Sequence, residues 1–130
     1  MDQAVKYSET SRINFGDLDP YGHLNAKHYL DIVASARLRF LQNRFGLNAQ
    51  AIAERGYGWF LKESTIKYKR PISGLVDVKC HSRVIRYDDG LLEITFEIVS
   101  LNGETEHSTG VNSHNHFFYI FLSEYTFEIC

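Results

Sequence analysis

Between residues 26 and 45 apolar side chains recur at helical spacing. Tyr29, Val33, Ala36 and Phe40 fall at i, i+4, i+7 and i+11, and Ile32 and Leu41 widen the stripe. Asn25 suits the N-cap in front of this run, and Gly46 suits the position just past its end. Arg37, Arg39 and Arg44 crowd the late turns, where cations complement the helix dipole. A helix of about 20 residues would be roughly 30 Å long. A second, short helix is expected over residues 48–55, ending at Gly56.

Elsewhere the period is two. A short first strand is predicted over residues 11–15, with Ile13 and Phe15 on one face. Residues 59–70 read as a strand stopped by Pro71. Val76, Val78, Cys80, Ser82 and Val84 then alternate with Asp77, Lys79, His81 and Arg83, the pattern of a half-buried strand. Residues 88–90 (Asp-Asp-Gly) and Asn102-Gly103 are hairpin turn signals on either side of the alternating Leu92, Ile94, Phe96 and Ile98. One long strand, or a pair, is expected between residues 106 and 122. A single long amphipathic helix needs an apolar sheet face to cover it, and the meander of strands supplies one. The expected class is α+β, a curved antiparallel sheet wrapped round one central helix in a single domain over residues 1–130.

Composition narrows the function classes. The 130 residues are 44% hydrophobic and 23% charged, an ordinary globular mix. Nine Phe, eight Tyr and one Trp favour strands and a lined pocket over a coiled coil. The net charge of −2 provides no global basic field, so no nucleic-acid partner is expected. Two cysteines, Cys80 and Cys130, make no disulfide framework and point to a reducing, cytoplasmic setting. Residues 1–11 carry no apolar core of a signal peptide, and no apolar stretch approaches the roughly 18 residues that span a bilayer.

The chemistry concentrates in residues 16–25, Gly-Asp-Leu-Asp-Pro-Tyr-Gly-His-Leu-Asn, directly upstream of the long helix. A helix N-terminus offers unpaired N–H groups and partial positive charge, which can stabilise the oxyanion of an attacked thioester. A carboxylate held nearby can serve as base or nucleophile. Gly22 lets backbone approach a ligand without a Cβ in the way. Residue by residue, acids near a helix start are more often caps, and Asp-Pro and Tyr-Gly are common turn dipeptides.

Residues 17–29, Asp-Leu-Asp-Pro-Tyr-Gly-His-Leu-Asn-Ala-Lys-His-Tyr, resemble the signature of the 4-hydroxybenzoyl-CoA thioesterase-like branch of the hotdog superfamily. Residues 66–71, Ile-Lys-Tyr-Lys-Arg-Pro, resemble the strand end that follows it. The resemblance spans roughly residues 10–105 and implies a hotdog-fold acyl-CoA thioesterase, with no cofactor beyond the coenzyme A of its substrate. It implies Asp19 as catalytic carboxylate, nucleophile or general base, with Asp17 as its structural companion. It implies that Gly22 and His23 place backbone amides near the thioester oxygen. His23 also matches a histidine that plant acyl-carrier-protein thioesterases use in catalysis, although Tyr21 stands where those enzymes carry Asn. Asn25 corresponds to the motif's asparagine, and Tyr29 to a helix tyrosine lining the acyl pocket. The resemblance further implies a homodimer or homotetramer with the cleft at the subunit interface.

Other candidates carry weaker signals. Lys62, Lys67, Lys69 and Arg70 form a basic cluster that could hold coenzyme A phosphates, Arg70 foremost. Tyr21 and Trp59 are candidate walls of the substrate pocket, with core packing the plainer role for Trp59. His114 and His116 fall on one strand face, but neither His107 nor Cys130 supplies a convincing third ligand, so no metal site is expected. Cys80 falls on the apolar parity of its strand and reads as core. Three functions follow: hydrolysis of an acyl-CoA or acyl-carrier-protein thioester, ligand binding without turnover, and hydration or dehydration through His23.

Overall fold

The computed structural model describes residues 5–54, 57–88, 90–119 and 127–129, with residues 49, 52, 53, 57–60, 116–119 and 127–129 described by their backbone alone. The elements run β1 (Lys6–Arg12), α1 (Tyr29–Phe45), α2 (Ala49–Glu54), β2 (Tyr57–Tyr68), β3 (Asp77–Asp88), β4 (Leu91–Ser100), β5 (Glu106–Tyr119) and β6 (Phe127–Ile129). Short 3-10 turns occupy Phe15–Asp17 and Ala26–His28. The sheet is antiparallel in the order β1-β3-β4-β5-β2, with β6 on β5. β5 is one long strand. Where β4 ends its pairing at Asn115, β6 takes over the same side at Phe117.

One sheet face packs on α1. Val78, Cys80 and Ser82 of β3 and Ile94, Phe96 and Ile98 of β4 are buried, as their alternation requires. A register shift between Ile98 and Val99 turns two consecutive side chains inward. From α1 come Tyr29, Ile32, Val33 and Ala36, spaced i, i+3, i+4 and i+7, all buried. Phe40 extends the stripe and stacks on Tyr7 of β1, with ring centroids 4.4 Å apart. α1 closes at Gly46, whose N–H donates to the Gln42 carbonyl at 2.9 Å.

Several sequence expectations change. The first strand is Lys6–Arg12, not residues 11–15. It is an edge strand with Tyr7 as its one buried residue, so it carries no apolar alternation to read. Ile13 is buried but Phe15 is 79% exposed, in the 3-10 turn, so the two do not share a face. The α-helix begins at Tyr29 because Asn25 caps a 3-10 turn first: its Oδ1 accepts the Lys27 N–H at 3.2 Å. Val76 precedes β3 and is exposed. Arg37 and Arg39 do not simply face solvent at the helix end. Arg39 reaches the Thr10 carbonyl and Ser11 hydroxyl, each at 3.0 Å, and Arg37 turns toward His114.

Candidate active site

Asp19 lies in the turn that leads toward α1. Its Oδ1 accepts hydrogen bonds from the backbone N–H of Tyr21 (2.8 Å) and of His23 (3.0 Å). Its carbonyl accepts the Gly22 N–H at 3.0 Å, and its own N–H donates to the His23 carbonyl at 2.7 Å. This is an aspartate-closed turn, and Gly22 holds a φ of 79° that a side chain would resist. Asp19 is half-buried. Its second oxygen, Oδ2, has no hydrogen-bond partner among the described residues. The carboxylate is thus fixed by one oxygen and open at the other.

The turn is stitched to the segment after β2. The Leu24 N–H donates to the Ile72 carbonyl at 2.7 Å, the Gly74 N–H to the Gly22 carbonyl at 3.0 Å, and His23 bridges Ser73. Asp17 accepts the Asn14 N–H on Oδ2 at 3.0 Å and stands 3.9 Å from His28 Nδ1. His28 also faces Asp31 at 3.3 Å. These contacts hold the loop and keep Asp17 apart from Asp19's hydrogen bonds.

The oxyanion role expected of the Gly22 and His23 amides does not fit this geometry. Both N–H groups are spent inside the turn, on the Asp19 carbonyl and on Asp19 Oδ1. The 3-10 turn and Leu24–Asn25 also separate them from the first residue of α1. His23 reaches Asp19 through its amide, and its ring forms no hydrogen bond among the described residues. Tyr29 is a core residue, 4% exposed, with its ring edge-on to Tyr68 at 4.9 Å. Burial pushes its phenol pKa up, partly offset by the Ile72 backbone.

Tyr21 is 84% exposed on the outside of the turn. Arg70 is exposed, and its guanidinium has no partner among the described residues. Its carbonyl faces His107 Nδ1 at 3.0 Å, which fixes the backbone there. Lys69 leaves the basic cluster, because Glu106 pairs with it at 2.6 Å. The Trp59 side chain lies outside the described residues, as do the side chain of His116 and all of Cys130. Cys80 is fully buried, which pushes its thiol up to about 11 and makes it inert. No group of His, Cys, Asp and Glu suited to a metal occurs among the described residues.

A cleft of about 1130 Å³ is lined in part by Ile72 and Ser73 of the stitched segment. Ile13, Ile72 and Val78 floor it, and Phe15, Leu75 and Leu101 form an exposed apolar rim. Asp19 lines neither this cleft nor the two smaller ones.

Residues 13–120 match the family model of the thioesterase-like superfamily. The chain belongs to that superfamily. Thioester hydrolysis is the class of reaction that this membership brings, and the antiparallel sheet with one long helix is the hotdog fold. Solved structures agree in fold. A DHNA-CoA thioesterase from Staphylococcus aureus aligns with a TM-score of 0.82 at 19% identity, covering 96% of this chain and 79% of that one. A probable thioesterase from Bartonella henselae aligns at 0.80 and 18%, covering 97% and 99%. A 1,4-dihydroxy-2-naphthoyl-CoA thioesterase from Synechocystis aligns at 0.79 and 13%, covering 88% and 83%. No curated protein sequence matches the chain. Among the described residues of this thioesterase-like chain, no helix is long and apolar enough to cross a membrane.

Proposed function

We propose that the protein is an acyl-CoA thioesterase, cleaving an acyl- or aryl-CoA to the free acid and coenzyme A, with Asp19 as general base or nucleophile. The observation that carries this reading is the state of the Asp19 carboxylate. Two amide hydrogen bonds hold Oδ1 in place, while Oδ2 keeps its lone pairs for a water or for the carbonyl carbon. Family membership and the CoA thioesters named for two of the structural neighbours support the substrate class. Arg70, exposed and without a partner among the described residues, is the group for a coenzyme A phosphate. The large cleft lined in part by Ile72 and Ser73 is the candidate berth for the acyl group. The reaction needs no cofactor other than the coenzyme A carried by its substrate. The free buried thiol of Cys80 fits a cytoplasmic setting.

The decisive experiment measures thiol release from a panel of acyl- and aryl-CoAs. Asp19→Asn keeps an oxygen for both turn hydrogen bonds, so the variant should melt as the wild type does. Its turnover should fall at least about 100-fold, the scale of a lost general base. Equal turnover in the two proteins would overturn the assignment. A binder without turnover is the competing reading, favoured by the amides of Gly22 and His23 being spent inside the turn. It predicts ligand-dependent stabilisation with no thiol released from any thioester.

A further inference from the structure

On the sheet face turned away from α1, outward side chains of five strands line a groove of about 670 Å³. Tyr7, Ser82 and Phe96 occupy the intervening positions and are buried on the α1 side, which turns their strand neighbours outward. At one end of the groove Lys6 of β1 and Arg83 of β3 are direct cross-strand partners. Partners of this kind have Cβ atoms about 5 Å apart, and like charges so placed repel. Both side chains are exposed, and neither has a carboxylate within ion-pair distance among the described residues.

The adjoining rung of the same two strands adds a donor. Ser8 faces His81 in register, with Ser8 Oγ 2.5 Å from His81 Nδ1. If the hydroxyl donates, the neutral ring keeps its proton on Nε2. If the ring donates from Nδ1, the hydroxyl proton is left over. Either way one N–H or O–H remains unspent. The acids of this face do not answer the two cations. Glu106 pairs with Lys69, and Glu93 stands 4.0 Å from Arg86. Glu97 lies opposite His81 and diagonal to Arg83, a placement of roughly 7 Å rather than of an ion pair.

We propose that Lys6 and Arg83, with the Ser8–His81 pair, form a site for a phosphate group, and that the rest of the groove holds the body of a phosphorylated small molecule. A phosphate monoester carries close to two negative charges at neutral pH and presents acceptor oxygens only, so it matches two cations where a carboxylate matches one. An arginine fork and a lysine point charge are both phosphate ligands. From Arg83 the groove passes Thr95 and Thr109 and reaches Lys67, three strand spacings or about 14 Å away. That length suits a ligand larger than phosphate itself. Asp19 does not line the groove, so the site does not rest on the thioesterase reading.

The test is the melting temperature of the purified chain titrated with sodium pyrophosphate, against sodium chloride at equal ionic strength. The wild type should show a saturable rise with pyrophosphate and none with chloride. Arg83→Gln and Lys6→Gln should each weaken the dissociation constant at least about tenfold, the scale of a hydrogen bond to a charged group. Lys79→Gln removes the same charge from an outward position of β3 that does not line the groove, and should leave the constant unchanged. Without ligand, Arg83→Gln and Lys6→Gln should melt no lower than the wild type, because each relieves the cross-strand repulsion. No saturable rise, equal weakening by Lys79→Gln, or a lower melting temperature in both unliganded variants would overturn the site. A second arm finds the source of the phosphate by thiol release from the acyl-CoAs. A KM raised in Arg83→Gln at unchanged kcat assigns the site to coenzyme A, and an unchanged KM beside a saturable melt assigns it to a separate phosphorylated ligand. If no thioester is cleaved, the thioesterase reading fails while the melt still decides the phosphate site.

Discussion

At the scale of single residues, Asp19 is held in its turn by one carboxylate oxygen and open at the other, which is what the proposed catalytic role requires. The amide bonds to Oδ1 supply the cap that any aspartate in such a turn would supply. What distinguishes it is the oxygen left over. His114 carries a second prediction. Burial, then the Arg37 charge, lowers its pKa from 6.5 to about 4. The folded protein therefore holds it neutral, while the unfolded chain takes up a proton below pH 6.5. Its contribution to stability is full above pH 6.5 and is lost as the pH falls toward 4, by roughly 3 kcal/mol in all. Urea unfolding of the wild type and of His114→Gln between pH 7 and pH 4 checks this. The wild type should lose more stability over that window, and parallel curves would refute the assignment. Asp19 was legible as a candidate from its place in a recognisable stretch. The Arg37–His114 contact was not, because its partners are 77 residues apart and each has an ordinary local reading.

At the scale of elements, periodicity located the long helix and the hairpins because burial on one face imposes it. It failed at β1, where an edge strand of polar residues gains its place from pairing with β3 rather than from apolar burial. It also left β5 open between one strand and two. The structure makes it one strand, and Gly110 in its middle has a clear packing reason. A Cβ there would collide with the Phe96 ring and with the Thr65 carbonyl, one from each neighbouring strand. The ring covers the glycine across the β4–β5 pair, and the carbonyl belongs to backbone that cannot swing aside. Gly110→Ala should therefore destabilise the fold by about 1–3 kcal/mol, read from the midpoint of urea unfolding at unchanged slope. An unchanged midpoint would mean that β2 or Phe96 yields more easily than this geometry allows.

At the scale of the whole molecule, the Asp19 turn is exposed on a face that one chain leaves open. Phe15 is 79% and Tyr21 84% exposed, two large aromatic rings close in sequence to the carboxylate. The homodimer or homotetramer that the family resemblance implies would cover the Asp19 turn and bury both rings. Sedimentation of the purified chain should give an oligomer. Phe15→Glu with Tyr21→Glu should shift it toward monomer and lower thiol release while leaving the fold intact. A wild-type monomer with full activity would refute this arrangement.

The sequence by itself determined the long helix, the antiparallel strands after it and the aspartate turn between them, because each follows from contacts within a few residues. Helical and strand periodicity, turn glycines and a cap are local physics, and they survive in a single chain read left to right. Only the tertiary structure decided where the amides of Gly22 and His23 go, that Glu106 neutralises Lys69, and that Arg37 meets His114 inside the fold. Those outcomes depend on which distant groups the folded sheet brings within about 3 Å, where hydrogen bonds and ion pairs form. No local pattern encodes that distance.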